Sequence, residues 1–206
     1  MTVLNETKTV GFVSFLNKYS QPFFRLSGRY RFSMTSHRDL NNKHETSVLA
    51  SYKNHLKTED KILEVINRPD PPDAFVTIDG KNTWVEITDA HFSRETAISI
   101  TSYAADDKTH IPSKEGLIGD PDSITTERVE SAIRAKLNKN SMIELAASNE
   151  PGILLVGLYG PFFDIKDVEN NLSDSFKIEL EIQDVFRSIY VYQTCRKNVH
   201  IYKKIR

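Results

Sequence analysis

Two acids, Asp73 and Glu86, stand where they could share an ion. They lie in the stretch from Pro69 to Asp89, which reads as two strands and a tight turn. Phe75 and Thr77 alternate with Val76 and Ile78 on the first strand, and Trp84 and Glu86 with Val85 and Ile87 on the return strand. Asp79-Gly80 between them is a strong hairpin signal, because both residues tolerate positive φ. Pro69, Pro71 and Pro72 cannot sit inside a central strand, so they fix where pairing begins. Asp73 starts one strand and Glu86 lies near the end of the other. Antiparallel pairing brings these two places together, at the end of the ribbon away from the turn. Converging carboxylates suit a hard divalent cation such as Mg²⁺, which takes oxygen ligands and retains waters. The alternative is a pair of solvated strand-end acids. Glu86 weighs against it, because Trp84, Val85 and Ile87 make its strand apolar and an unpartnered carboxylate buried there is costly.

Pro72-Asp73 followed by Glu86-Ile87-Thr88 resembles the motif of the PD-(D/E)xK nuclease superfamily, in which Pro-Asp on one strand precedes an acid, any residue and Lys on the next. The resemblance spans roughly Asn42 to Tyr159, and Thr88 stands where the family usually has Lys. It implies a restriction-endonuclease-like α/β fold: an αβββαβ core with a mixed central sheet flanked by helices. It also implies Mg²⁺ or Mn²⁺ held by Asp73, Glu86 and the backbone carbonyl of Ile87. The superfamily often carries a further acid on the helix before the hairpin, and Glu45 matches that place. Members that lack the usual Lys can take a cation from a neighbouring helix, a role open here to Lys136, with Lys139 in reserve. Thr88 could orient a water but cannot carry charge.

Several elements must position these residues. Lys43 to Lys57 has Val48, Leu49, Tyr52 and Leu56 at helical spacing, and Glu45 falls on the same stripe. A first-turn Glu complementing the helix dipole is the other reading of Glu45. His44 points elsewhere, and Ser33 to Asn42 reads as a polar loop. Ile62 to Ile66 is a candidate first core strand. Arg68 after it pairs with Asp70 or contacts phosphate, pairing being the preferred reading. Thr125 or Thr126 caps a helix to about Asn140, with Val129, Ala132, Ile133 and Leu137 inward. Lys136 lies on or beside that stripe, as a reaching cation or as a stem covering apolar surface. Ser141 to Ala147 extends or follows this helix, and Ile153 to Tyr159 is a strand buried on both faces.

The flanks are less regular. Val10 to Leu16 fits a strand or a short helix. Arg25, Arg29 and Arg31 interleave with Leu26, Tyr30 and Phe32. That pattern suits a nucleic-acid-contacting strand, or an arm that packs or forms a homodimer. Ser93 to Tyr103 reads as a helix and Asp106 to Asp122 as a long loop. His91 and His110 lack metal-pair spacing. Ile165 to Leu172 reads as helical, Ser175 to Phe186 fits helix or strand, and Ser188 to Tyr202 reads as a closing hairpin.

The 206 residues suit one domain, with residues 1–40 as an N-terminal extension, 42–160 as the core and 161–206 as C-terminal additions. Hydrophobic content of 39% supports a packed core. A net charge of −1 means that any nucleic-acid contact needs local basic patches. The lone Cys195 excludes an intramolecular disulfide and a cysteine-based zinc site. No apolar run reaches the length of a membrane span and no signal segment is evident, so a soluble cytoplasmic protein without membrane partners is expected. The function expected is metal-dependent hydrolysis of phosphodiester bonds in DNA, or in RNA. The alternative is an inactive nuclease-fold module that binds nucleic acid or protein.

Overall fold

Asp79 and Gly80 take φ of 51° and 77°, so both central turn residues are left-handed. This is the turn whose twist matches a hairpin. It joins β2 (Ala74–Ile78) to β3 (Lys81–His91) in antiparallel register from Ala74↔Val85 to Ile78↔Lys81. Asp79 also receives the Ile62 amide on its Oδ1 at 2.9 Å, which ties the turn to the strand before it. The computed structural model describes residues 36–91, 94–104, 109–111, 121–159, 165–196 and 199–206. The readings of Val10–Leu16 and of the Arg25–Phe32 strand, and most of the Asp106–Asp122 loop, lie outside them.

Six strands form one mixed sheet in chain order, with β1 (Leu63–Asn67), β4 (Gly152–Tyr159), β5 (Phe186–Arg196) and β6 (Val199–Lys204) around the hairpin. β1, β2 and β3 pair antiparallel, β3, β4 and β5 pair parallel, and β6 returns antiparallel on β5. Parallel neighbours need a crossover. Between β3 and β4 this crossover carries α2 (Arg94–Ala104), α3 (Pro121–Leu137) and α4 (Asn140–Asn149). Between β4 and β5 it carries α5 (Ile165–Asn171) and α6 (Asp174–Ile182).

The helices cover both faces. α1 (His37–Thr58) buries Val48, Leu49, Tyr52 and Leu56 against Val85, Ile87, Ile153, Leu155, Tyr190 and Tyr192. On the other face Val129, Ile133 and Leu137 of α3, with Met142, Val168 and Phe176, pack on Trp84, Leu154, Val156 and Ile189. β4 is buried on both faces, as its unbroken apolar run requires. The chain is therefore an α/β protein with an open mixed sheet between helical layers. Among the described residues no helix is long and apolar enough to cross a membrane.

Several expectations are corrected. Residues 37–42 are helix rather than loop, because Ser36 and Asp39 cap α1 reciprocally: the Ser36 hydroxyl accepts the Asp39 amide and the Asp39 carboxylate accepts the Ser36 amide. This first part of α1 is mostly exposed, so no apolar period announces it. α3 starts at Pro121, a favoured first-turn residue, rather than at a cap on Thr125 or Thr126, and Thr126 is buried. β1 is an edge strand with only Leu63 buried, not a core strand. Ser173 caps α6, so the ambiguous segment is helix until Ile182 and strand from Phe186. β5 and β6 form the expected closing hairpin, and β5 extends the sheet by pairing with β4. Ile189, Val191 and Tyr192 are fully buried.

Gly152 opens β4 directly beneath the indole of Trp84, and a Cβ there would overlap the ring. The indole Nε1–H donates to the Glu150 carbonyl at 2.9 Å, which pins the ring in place. Gly152→Ala is expected to cost about 1–3 kcal/mol through overpacking. Trp84 is the chain's only tryptophan, so its fluorescence in urea titrations reports the loss directly. An unchanged midpoint would show that the ring is free to yield.

Candidate active site

β3 outruns β2 at the end away from the turn. The last pair is Ala74↔Val85, and Asp73 stands immediately before it, in the bend that leads into β2. The Ile87 amide, which has run past the end of β2, donates to Asp73 Oδ2 at 2.6 Å. Residues 70–73 are a bend rather than strand, and prolines, which lack an N–H, end β2 there.

Glu86 is buried, its side chain 4% exposed, on the face covered by α3. Lys136 reaches down from the last turn of α3 and places Nζ 2.6 Å from Glu86 Oε1. Lys139, between α3 and α4, stands 4.0 Å from the same oxygen. Glu86 Oε2 is buried and has no hydrogen-bond partner among the described residues. Such an atom carries a desolvation penalty that a bound group could remove.

Arg68 closes the site from the sheet edge. Its guanidinium gives one bond to Glu45 Oε2 at 2.5 Å, one to Thr46 Oγ1 at 2.5 Å, and one from Nε to the Asp73 carbonyl at 3.3 Å. The expected Arg68–Asp70 pair is therefore replaced by a clamp joining α1 to the loop that carries Asp73. Glu45 is near the site, but its carboxylate is engaged by Arg68. Burial raises the Glu45 pKa, against the pull of Arg68.

Asp73 makes no ion pair among the described residues. Burial, the first cause, and the negative charge of Glu86 push its carboxyl up to about 7, with Glu45 adding to the rise. The Ile87 amide and Lys136 oppose this and lose. Asp73 is thus the acid that lacks its own cation, and it responds by holding its proton.

The sequence reading missed a second network on the α1 face. His44 Nε2 lies 3.3 Å from Asp89 Oδ2, and the Tyr192 hydroxyl donates to Asp89 Oδ1 at 3.1 Å. Burial disfavours the charged imidazole, but the bond and charge of Asp89, with Glu45 and Asp73 beyond, raise its pKa overall. Gly157 makes room, since a Cβ there would press on Asp89 and Tyr192. Asp89 lies three residues after Glu86 and so faces the opposite side of β3. The alternation from Glu86 to Asp89 was the one available signal. His91 packs its ring on Tyr159, 5.4 Å between centroids, and His110 sits near Ser102. Among the described residues no group of three or more His, Cys, Asp or Glu side chains is placed to hold a metal. No protein-family model, curated protein or solved structure matches this chain.

A carboxyl that titrates near 7 in the fold and near 3.8 unfolded binds its proton more tightly when native. Its contribution to stability is complete below pH 3.8 and is lost as pH rises through about 7. Wild type should therefore lose stability across that window relative to Asp73→Asn, which cannot titrate. Urea unfolding followed at Trp84 over the pH series measures the difference, and parallel profiles would remove Asp73 as its source.

Proposed function

We propose that this chain is a metal-dependent phosphodiesterase acting on nucleic acid, DNA before RNA, built on a restriction-endonuclease-like core. The observation that carries the proposal is the closeness of Asp73, which takes the Ile87 amide and feels the charge of Glu86, to Glu86 itself, whose Oε2 is buried without a partner among the described residues. The residues fit a divalent cation. Asp73, Glu86 and the Ile87 carbonyl are oxygen donors of the kind Mg²⁺ or Mn²⁺ takes, with waters and phosphate oxygens filling the other positions. When bound, the cation supplies acidification of the attacking water and neutralisation of charge on the phosphate. The described order through β4 is a helix, three strands, three helices and a strand, which supports the core assignment if two of the crossover helices are additions to it.

The chain's own groups divide the remaining work. Lys136 supplies the ammonium that Thr88 cannot, reaching the same acid from α3. Displaced from Glu86 Oε1, it could neutralise a phosphate oxygen as negative charge develops there. Asp73 is an effective ligand only when ionised, so cation affinity should rise with pH to about 7 and then level off. Glu45 acts through Arg68, holding the Asp73 loop in place.

A second reading, a non-catalytic module with this fold, has its own support: Lys136 and Arg68 already neutralise Glu86 and Glu45 without any metal. Cleavage and cation binding separate the two. Glu86→Gln and Asp73→Asn should each abolish Mn²⁺-dependent cleavage of DNA. Lys136→Ala should lower it about 10²-fold or more, with Lys136→Arg partly active. Mn²⁺ should raise the melting temperature of wild type and not of the Asp73→Asn/Glu86→Gln double variant. No thermal shift in wild type, or cleavage that survives in Glu86→Gln, would leave the binding module as the reading.

A further inference from the structure

A pocket of about 250 Å³ opens on the α1 face, at the turn end of the β2–β3 hairpin. Its floor is apolar, with Leu56, Ile78 and Ile153 beside the rings of Tyr52 and Tyr190. Its rim carries Lys61, Lys81, Arg187 and Lys204. Lys61 is already held by Glu59 at 2.6 Å, and Asp79, the one acid in the lining, is engaged by the Ile62 amide. Lys81, Arg187 and Lys204 make no ion pair or side-chain hydrogen bond among the described residues. The result is a hollow lined by four cations and one acid, in a chain whose net charge is −1.

One backbone feature builds this arrangement. Gly152 pairs with Phe186 but Ile153 pairs with Ser188, so Arg187 is an extra residue in β5. In a regular strand consecutive side chains face opposite sides. Here Arg187 and Ser188 both line the pocket, which is the re-aiming that a bulge provides. Lys204 shares its face with Tyr202, which is packed into the α1-side core, so it arrives at the same rim from β6.

We propose that this pocket binds a small organic phosphate of about one nucleotide unit. Lys81, Arg187 and Lys204 together match a phosphate monoester, which carries close to two charges, better than a carboxylate. Arg187 offers the forked donor geometry that phosphate oxygens accept in pairs. The volume corresponds to on the order of eight waters or more, several times what a phosphate group alone fills. The apolar floor is left for the organic part, and Ser188 and the tyrosine hydroxyls for its polar atoms. The pocket is separate from the paired acids. Lys81 and Glu86 are five residues apart on β3, about 17 Å, and they face opposite sides of the sheet.

Calorimetry on the full chain with adenosine monophosphate, adenosine, inorganic phosphate and a short 5′-phosphorylated oligonucleotide tests this. Adenosine monophosphate should bind at least about tenfold more tightly than adenosine or inorganic phosphate. It should lose at least about tenfold in the exposed-site variant Arg187→Glu/Lys204→Glu, and remain unchanged in Glu86→Gln. Competition by the oligonucleotide assigns the phosphate to a strand end, and its exclusion assigns it to a free nucleotide. Equal affinity for adenosine, indifference to the double charge reversal, or loss of binding in Glu86→Gln would each overturn the proposal. Because Glu86→Gln is expected to remove cleavage, the pocket and the nuclease reading can fail separately.

Discussion

A carboxylate in the middle of a sheet, under a helix, must be neutralised, and Glu86 imposes that condition on its surroundings. Lys136 meets it, so the end of α3 must lie over β3 at the level of Glu86. The stripe of Val129, Ile133 and Leu137 holds α3 at that level by packing on the same face. Removing either charge would leave the other buried and uncompensated, which is more costly than never having had the pair. The ion pair therefore ties the end of α3 to β3 at the level of Glu86.

The unequal lengths of β2 and β3 turn this condition into a site. Pro69, Pro71 and Pro72 prevent β2 from continuing, so the Ile87 amide of β3 lies beyond the paired part of β2. Asp73 takes the amide, and its own charge is left to the competition between burial, Glu86 and Lys136. Arg68 sets the opposite wall by linking Glu45 on α1 to the same loop. Lys136 thus neutralises Glu86 on β3, while Arg68 neutralises Glu45 on α1 and holds the loop that carries Asp73.

What could be read from the sequence follows how local each signal is. The β2–β3 hairpin was legible because its turn, its alternation and its prolines lie within about twenty residues and agree. Lys136 was legible because helical spacing put it beside the stripe of α3, although only the fold shows that the stripe ends over Glu86. Arg68 was misread: its neighbour Asp70 is nearer in sequence, but Glu45, 23 positions away, is nearer in space. His44 was set aside for a similar reason, since Asp89 and Tyr192 reach it only once the parallel strands are assembled. The polar first part of α1 carries no apolar period, so only its capping residues mark it. β1 looks like core because it is apolar, yet edge position is a property of the sheet and not of the strand.

The mixed pairing of β3 has a temporal consequence. Its antiparallel partner is two residues away in the chain, whereas its parallel partner lies beyond three crossover helices. Loop-closure entropy favours the short connection, so the hairpin closes ahead of the β3–β4 pairing. Asp73 and Glu86 then meet while Lys136 is still at the far end of an open loop. At that stage both acids are still in water, and the burial that chiefly raises the Asp73 pKa arrives only when the helices pack, together with Lys136.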